Sequence, residues 1–361
     1  MQQPQSTLGP LPDEALIEEI YPTQPDARDR WILARRPPAL QARRDALDVW
    51  HPQQVLVESE PDENGVPATV ATLFLTNREC PWRCLMCDLW QYTTRESVPE
   101  GAITAQIKAG LQSIEHDERW REAQQNKPRH LKLYNSGSFF DHRAINPAED
   151  APIAQIAGAF ERVIVESHPR LVGARCREFA VRLRDNDTNL EVAMGLETVH
   201  PLVLEKLNKR AGVEDFRRAA DFLRDHSIAL RLFVLVRPPF LDEAQGLESA
   251  RRALDFAVEC GASVVTLIPT RGGNGALETL AQTGDFAPPR LSSLEAALDY
   301  GIELRHSKST LRVFADDWDL DALATCPHCF SERRTRLQTI NRTQRPLSPL
   351  RCAACDNAKV L

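Results

Sequence analysis

From residue 53 onward the chain alternates between two hydrophobic rhythms. Residues 53–61 (QQVLVESEP) and 68–77 (ATVATLFLTN) read as strands, and the DENG that follows the first is a turn signal predicting a hairpin. Short apolar runs then recur at 130–136 (HLKLYNS), 162–167 (RVIVES), 190–198 (LEVAMGLET), 228–236 (IALRLFVLV) and 262–269 (ASVVTLIP). The stretches between them carry helical spacing, over 103–113, 153–160, 175–183, 213–224 and 246–260. In 213–224, Phe216, Ala219, Ala220 and Leu223 share one face, and 246–260 stops at Gly261, a common helix terminator. A helix over 291–305 and a strand at 311–315 follow. The strand starting at 68 and the five runs after it make six buried strands joined by crossover helices. That pattern predicts an α/β fold with a parallel sheet or barrel, in which chemistry sits at the C-terminal strand ends.

Composition narrows the class. The 361 residues are 42% hydrophobic and 26% charged, with a net charge of -7, which excludes a disordered or collagen-like chain and leaves room for a sizeable core. No apolar run approaches the ~18 residues of a membrane span, and the polar, acidic start lacks the features of a secretory signal. A cytoplasmic protein with no membrane partner is expected. Residues 1–45 are rich in Pro, Gln and Arg, so 1–50 is expected to be a partly disordered extension with a short helix over 29–36. Nine cysteines are an odd number in a compartment that keeps thiols reduced, which makes metal ligation the leading question.

Cys80, Cys84 and Cys87 form a C-x3-C-x2-C run directly after the first of the six strands. Three thiolates on one short loop suit an iron–sulfur cluster with one iron left open. A zinc site, or an ordinary cluster recruiting Cys176 or Cys260 as fourth ligand, are the alternatives that the spacing leaves. The later strand ends supply polar groups. Asn135, Ser136, Gly137 and Ser138 allow close backbone approach to a ligand, or simply make a turn. Glu166 and Glu197 end the third and fourth strands, where a carboxylate accepts hydrogen bonds from hydroxyls or caps the next helix. Arg237 ends the fifth, as a cation for an anionic ligand or a structural salt bridge. The loop 269–273 (PTRGG) after the sixth strand lies against a ligand or is merely mobile. His168 and His200 read as caps or surface residues. There is no serine-hydrolase triad, P-loop or dinucleotide-binding glycine pattern.

Near the other end, Cys326, Cys329, Cys352 and Cys355 form CPHC and CAAC, a pattern for a closed tetrahedral zinc site, with a second cluster as the rival. Residues 326–361 carry a net +5, leaving -12 on the rest, so this segment is the one basic footprint for a polyanion such as tRNA; a solvated basic face is the bland alternative. The expected division is 1–50, a core over 51–320 with its flanking hairpin, and a metal-binding module over 321–361.

The runs TNRECPWRCLMCDLW, LYNSGSFFD, VIVESHP, MGLETVHP, LNKR (207–210) and FADDWDL resemble the radical SAM superfamily, with its Elongator/MiaB/NifB-like core. Within it they look most similar to the archaeosine-synthase radical SAM subunits and their bacterial relatives. The superfamily likeness covers about 69–305 and the narrower one about 56–355. The resemblance implies a partial (β/α)6 TIM-type barrel. It implies a 4Fe-4S cluster on Cys80, Cys84 and Cys87 that cleaves S-adenosylmethionine (SAM) to methionine and a 5′-deoxyadenosyl radical, which takes a hydrogen from substrate. Met86, Asn135, Ser136, Gly137, Ser138, Glu166, Glu197 and Arg237 would then contact SAM, with Met86 standing where relatives often have an aromatic residue. It also implies a flavodoxin- or ferredoxin-type electron donor and a tRNA-modifying carbon–nitrogen cleavage, in the lyase or transferase class. A non-catalytic binding module on the same scaffold is the alternative function.

Overall fold

The structure, a computed structural model, describes residues 21–126, 128–307, 311–323 and 326–357. Two short helices, α1 (Pro25–Ala34) and α2 (Pro38–Arg44), each open on a proline, whose fixed φ and missing N–H suit a first helical turn. That is why the first helix starts earlier than hydrophobicity alone suggests. Residues 21–50 are pinned to the rest of the molecule; the expected disorder of 1–20 lies outside the described residues.

The predicted hairpin is present. Strands β1 (Gln54–Pro61) and β2 (Pro67–Phe74) pair antiparallel, and the Asp62 carboxylate accepts from the Asn64 and Val66 N–H groups while Gly65 takes φ 79°. Strands β3 (Arg129–Tyr134), β4 (Arg162–Glu166), β5 (Asn189–Glu197), β6 (Ala229–Val236), β7 (Val264–Pro269) and β8 (Arg312–Ala315) then add in parallel, in chain order. The result is a curled eight-stranded half-barrel, a partial barrel of the TIM type, in which the late strand extends the six expected parallel ones. The helices that follow α2 are α3 (Ala102–Ser113), α4 (Glu118–Asn126), α5 (Asp150–Ala157), α6 (Ala174–Arg184), α7 (Pro201–Lys206), α8 (Val213–Asp225), α9 (Glu243–Glu259), α10 (Ala276–Thr283), α11 (Leu291–Ser307), α12 (Phe330–Thr343) and α13 (Ala353–Asn357). Among the described residues no helix is long and apolar enough to cross a membrane.

Strand alternation separates two interiors. Leu131, Leu133, Val163, Val165, Val192 and Met194 point outward into one apolar core shared with the surrounding helices. Each such fully buried side chain contributes roughly 1.5–3 kcal/mol, enough to fix which face meets the helices. The opposite positions point into the barrel and mix charged residues with apolar ones such as Ala193, Phe233 and Ile268. Near its floor Arg231 bonds Glu191 at 2.6 Å and Glu60 at 2.9 Å, Lys132 pairs with Glu60, and Arg162 reaches Glu191 at 3.2 Å. These charges are mutually paired, so they close the floor and leave the upper barrel hollow.

Candidate active site and metal centre

The C-terminal strand ends open into a cavity of about 1190 Å³. Cys80, Cys84 and Cys87 line it together with Met86, Ser136, Gly137, Ser138, Glu166 and Glu197. Most of the residues singled out from sequence therefore meet around one space. Asn135 is buried behind this wall, its side-chain oxygen and nitrogen without partners. Arg237 is not on the wall at all. Its guanidinium bonds Glu243 at 2.7 Å and the Pro288 carbonyl at 2.9 Å, because a φ of 55° turns the chain at the end of β6 and breaks the strand alternation. Cys176 and Cys260 lie in the outer core, away from the three-cysteine loop. Among the described residues no fourth cysteine lines the cavity.

The cysteine loop is held from several sides. Leu85 N donates to the Leu207 carbonyl (2.9 Å), Asn208 Nδ2 to the Arg83 carbonyl (2.8 Å), and Asn274 Nδ2 to the Leu85 carbonyl (2.7 Å). Glu79, just ahead of Cys80, binds Arg36 at 2.6 Å, Arg44 at 2.8 Å and Arg83 at 3.2 Å. Burial alone would raise the Glu79 carboxyl, but these guanidinium groups hold it below its ordinary value. Arg36 follows α1 and Arg44 ends α2, so the N-terminal helices clamp the loop, a role the sequence reading missed. Gly137 lies against the loop as well: a Cβ there would stand 3.2 Å from that of Cys80.

Two carboxylates face the cavity and differ in their partners. Glu166 Oε2 accepts from Asn135 N at 3.1 Å, so it braces the turn after β3. Burial pushes its carboxyl up to about 7, against the pull of the Asn135 and Ser136 N–H groups. Glu197 sits at a bulge in the β5–β6 pairing with φ 65°, and its Oε1 bonds Lys209 Nζ at 2.7 Å. A Cβ on Gly195 would fall 2.1 Å from that Oε1 and 2.7 Å from Lys209 Nζ, so a larger residue there would displace the ion pair. Burial opposes the charge on Lys209, but Glu197 and Cys84 hold its ammonium above the ordinary value. Lys209 has no signal in composition or periodicity; the chain places it by taking positive φ at Asn208 and Arg210 on either side.

His168 stacks on Trp82 of the cysteine loop, ring centroids 3.7 Å apart and planes 7° apart. Its Nδ1 accepts from Arg170 N at 3.3 Å and its Nε2 lies 3.0 Å from the Lys209 carbonyl, which fixes a neutral imidazole donating from Nε2. Burial pulls this ring down to about 3. His200 likewise caps a helix, accepting from Val203 N. Both therefore act as helix caps. Arg271 and Gly272 of the loop after β7 also line the cavity, with Arg271 held by Asp316 at 2.7 Å.

The donor set fits an iron–sulfur cluster with one open iron: three thiols on a clamped loop, facing a space lined by polar groups. Burial pushes the Cys80 thiol up to about 12, so the cationic metal must displace the proton on binding.

The four C-terminal cysteines form a different kind of site. Their sulfur atoms all lie within 4.8 Å of one another, with Cys326–Cys352 at 3.8 Å and Cys329–Cys355 at 3.5 Å. Thiolates ~2.3 Å from one tetrahedral ion stand about 3.8 Å apart, so the geometry suits a single metal. Cys329 caps α12, and Arg333 Nε donates to its sulfur at 3.2 Å. Two arginines of the basic segment are spent inward: Arg333 pairs with Glu295, and Arg336 with Glu295 at 3.3 Å and Asp299 at 2.8 Å. Arg342, Arg345 and Arg351 stay exposed.

The chain is similar to "Archaeosine synthase subunit beta" of Methanosarcina acetivorans, 25% identical over 305 residues, covering 81% of this chain and 84% of the relative. It is 27% identical to the protein of the same name from Thermococcus kodakarensis over 246 residues, 65% of this chain and 72% of that one. The chain is thus archaeosine-synthase-like over most of its length. No family model matches it. Among solved structures, N-terminally truncated Elp3 of Methanocaldococcus infernus aligns with a TM-score of 0.48 at 12% identity, over 75% of this chain and 63% of Elp3.

Proposed function

We propose that this chain is a radical SAM enzyme that holds a 4Fe-4S cluster on Cys80, Cys84 and Cys87 and binds SAM at the open iron. When bound, the pair supplies an electron to the sulfonium and a 5′-deoxyadenosyl radical that takes a hydrogen from substrate. The chain's own residues prepare the site. Glu197, steadied by Lys209, keeps its second carboxylate oxygen for ribose hydroxyls, and the turn 135–138 offers backbone carbonyls to an ammonium. The Trp82–His168 stack and Met86 form an apolar flank that limits water. An external flavodoxin or ferredoxin would supply the electron. The convergence of the cysteine loop with the ends of β3, β4 and β5 on one cavity carries this reading.

The substrate we propose is a modified nucleoside in tRNA, cleaved at a carbon–nitrogen bond. Its support is the similarity to archaeosine synthase subunits over most of the chain and the exposed arginines beside the C-terminal cysteines. The four cysteines would hold structural zinc. Sulfurs within 4.8 Å favour one ion over a cubane cluster, which spreads its ligands over separate corners. We keep the division into an extension (1–50), a core (51–320) and a metal module (321–361) as part of this proposal.

The test is SAM cleavage under anaerobic reducing conditions. 5′-Deoxyadenosine is expected from the wild type and to fall at least ~1000-fold in Cys84→Ala, which removes a cluster ligand. Undiminished turnover in that variant contradicts the reading. For the substrate, bulk tRNA should bind with strong salt dependence that weakens in Arg342→Gln/Arg345→Gln/Arg351→Gln. Salt-independent binding, or the same slope in the triple variant, contradicts the tRNA part alone.

A further inference from the structure

The sheet has two edges, β1 and β8, and the barrel is open between them. On an edge strand every second residue turns its N–H and C=O away from the ladder. Arg312 N donates to the Ser263 carbonyl at 3.0 Å and Asp316 N to the Leu267 carbonyl at 2.8 Å, so Val313 and Ala315 face outward. Both are satisfied by side chains at the end of α12, Asn341 in its last turn and Gln344 as its C-cap. Gln344 Oε1 accepts from Val313 N at 2.8 Å and its Nε2 donates to Val313 O at 2.9 Å. Asn341 Oδ1 accepts from Ala315 N at 2.8 Å and its Nδ2 donates to Ala315 O at 2.7 Å. Two carboxamides one helical turn apart thus reproduce the donor–acceptor pairs that a ninth strand would offer.

The same helix reaches the other edge, packing on β1, and its Gln338, Asn341 and Arg342 line the cavity. Its first turn belongs to the four-cysteine unit: Cys329 is the cap, and Arg333 links the Cys329 sulfur to Glu295 of α11. Arg336 ties α11 to the Leu347 and Ser348 carbonyls of the loop that returns to Cys352.

We infer that the four-cysteine unit is a latch: its metal holds α12 in the barrel seam and makes that helix a wall of the reaction cavity. Asn341 and Gln344 are the positioning residues, and Gln338 and Arg342 face the substrate. The inference takes from the preceding proposal the metal at Cys326, Cys329, Cys352 and Cys355, and two variants of the full chain separate the two ideas. Hydrogen exchange is read at Val313 and Ala315, with Arg312, Asp316 and the central strand residues Met194 and Leu232 as internal controls, beside a zinc count. In Cys326→Ser/Cys352→Ser, zinc is lost and exchange at Val313 and Ala315 rises at least ~10-fold with the controls unchanged. In Asn341→Leu/Gln344→Leu, the same two amides are released while zinc is retained. Unchanged exchange in a zinc-free cysteine variant overturns the latch, and unchanged exchange in the carboxamide variant overturns the edge closure. Wild-type protein without a C-terminal metal contradicts the metal proposal and the latch, and leaves edge closure to be decided by the carboxamide variant.

Discussion

Cys80, Cys84 and Cys87 share a cavity of about 1190 Å³ with two carboxylates, an ammonium and an aromatic stack, whereas Cys326, Cys329, Cys352 and Cys355 gather within 4.8 Å of one another around a single point. The ligand atom is the same and the surroundings are opposite. The first set is clamped from behind by Glu79 and its arginines and left open in front, which is what a metal that must bind a second molecule requires. The second set turns all four sulfurs toward one another, and its neighbouring arginines act as struts. Openness follows from what the remaining coordination space faces rather than from cysteine spacing.

Breaking the support of the open site should have the largest effect. Lys209→Met leaves Glu197 buried without its partner, which should cost about 3–5 kcal/mol in urea unfolding, with most recovered in Lys209→Met/Glu197→Leu. An unchanged midpoint would mean that the pair does not organise the cavity. The His168–Trp82 stack gives a smaller, pH-dependent effect. His168 drops from an ordinary 6.5 to about 3 in the folded protein, so the unfolded chain binds the extra proton between those values. Its contribution is complete above pH 6.5 and lost as pH falls toward 3. It amounts to ~3 kcal/mol after a discount for its remaining contact with solvent. The slope of stability between pH 6 and 4 should therefore flatten in His168→Gln, and a slope equal to wild type would refute the buried neutral ring. The smallest effect is expected at Arg237, which sequence position assigned to the cofactor and the structure spends on Glu243. Arg237→Gln should change SAM cleavage by less than about twofold, whereas a change comparable to that of a cavity residue would return Arg237 to the site.

Much of this contrast was legible in the sequence. The strands carry short apolar runs, the cysteine triplet directly follows one of them, and two C-x2-C pairs declare themselves by repetition. What was hidden has no periodic signal. Arg36 and Arg44 meet Glu79 across about 35 to 43 intervening positions, so a Pro- and Arg-rich segment expected to be loose becomes the clamp. Arg237 ends its strand, where either a ligand cation or a salt bridge fits the sequence, and only the positive φ that turns it toward Glu243 decides between them. Asn341 and Gln344 carry no sequence signal, since only the placement of β8 beside α12 makes their carboxamides backbone surrogates. The sequence net charge of +5 over 326–361 also overstated the basic surface, because Arg333 and Arg336 are buried against Glu295.

The comparison between an open and a closed cysteine site is tested most directly by counting metals in three anaerobically prepared proteins. Wild type should carry about four irons and one zinc. Cys84→Ala should lose the iron and keep the zinc, and Cys352→Ser should lose the zinc and keep the iron. Iron at both sites, or loss of both metals from either single variant of a folded protein, would contradict the account.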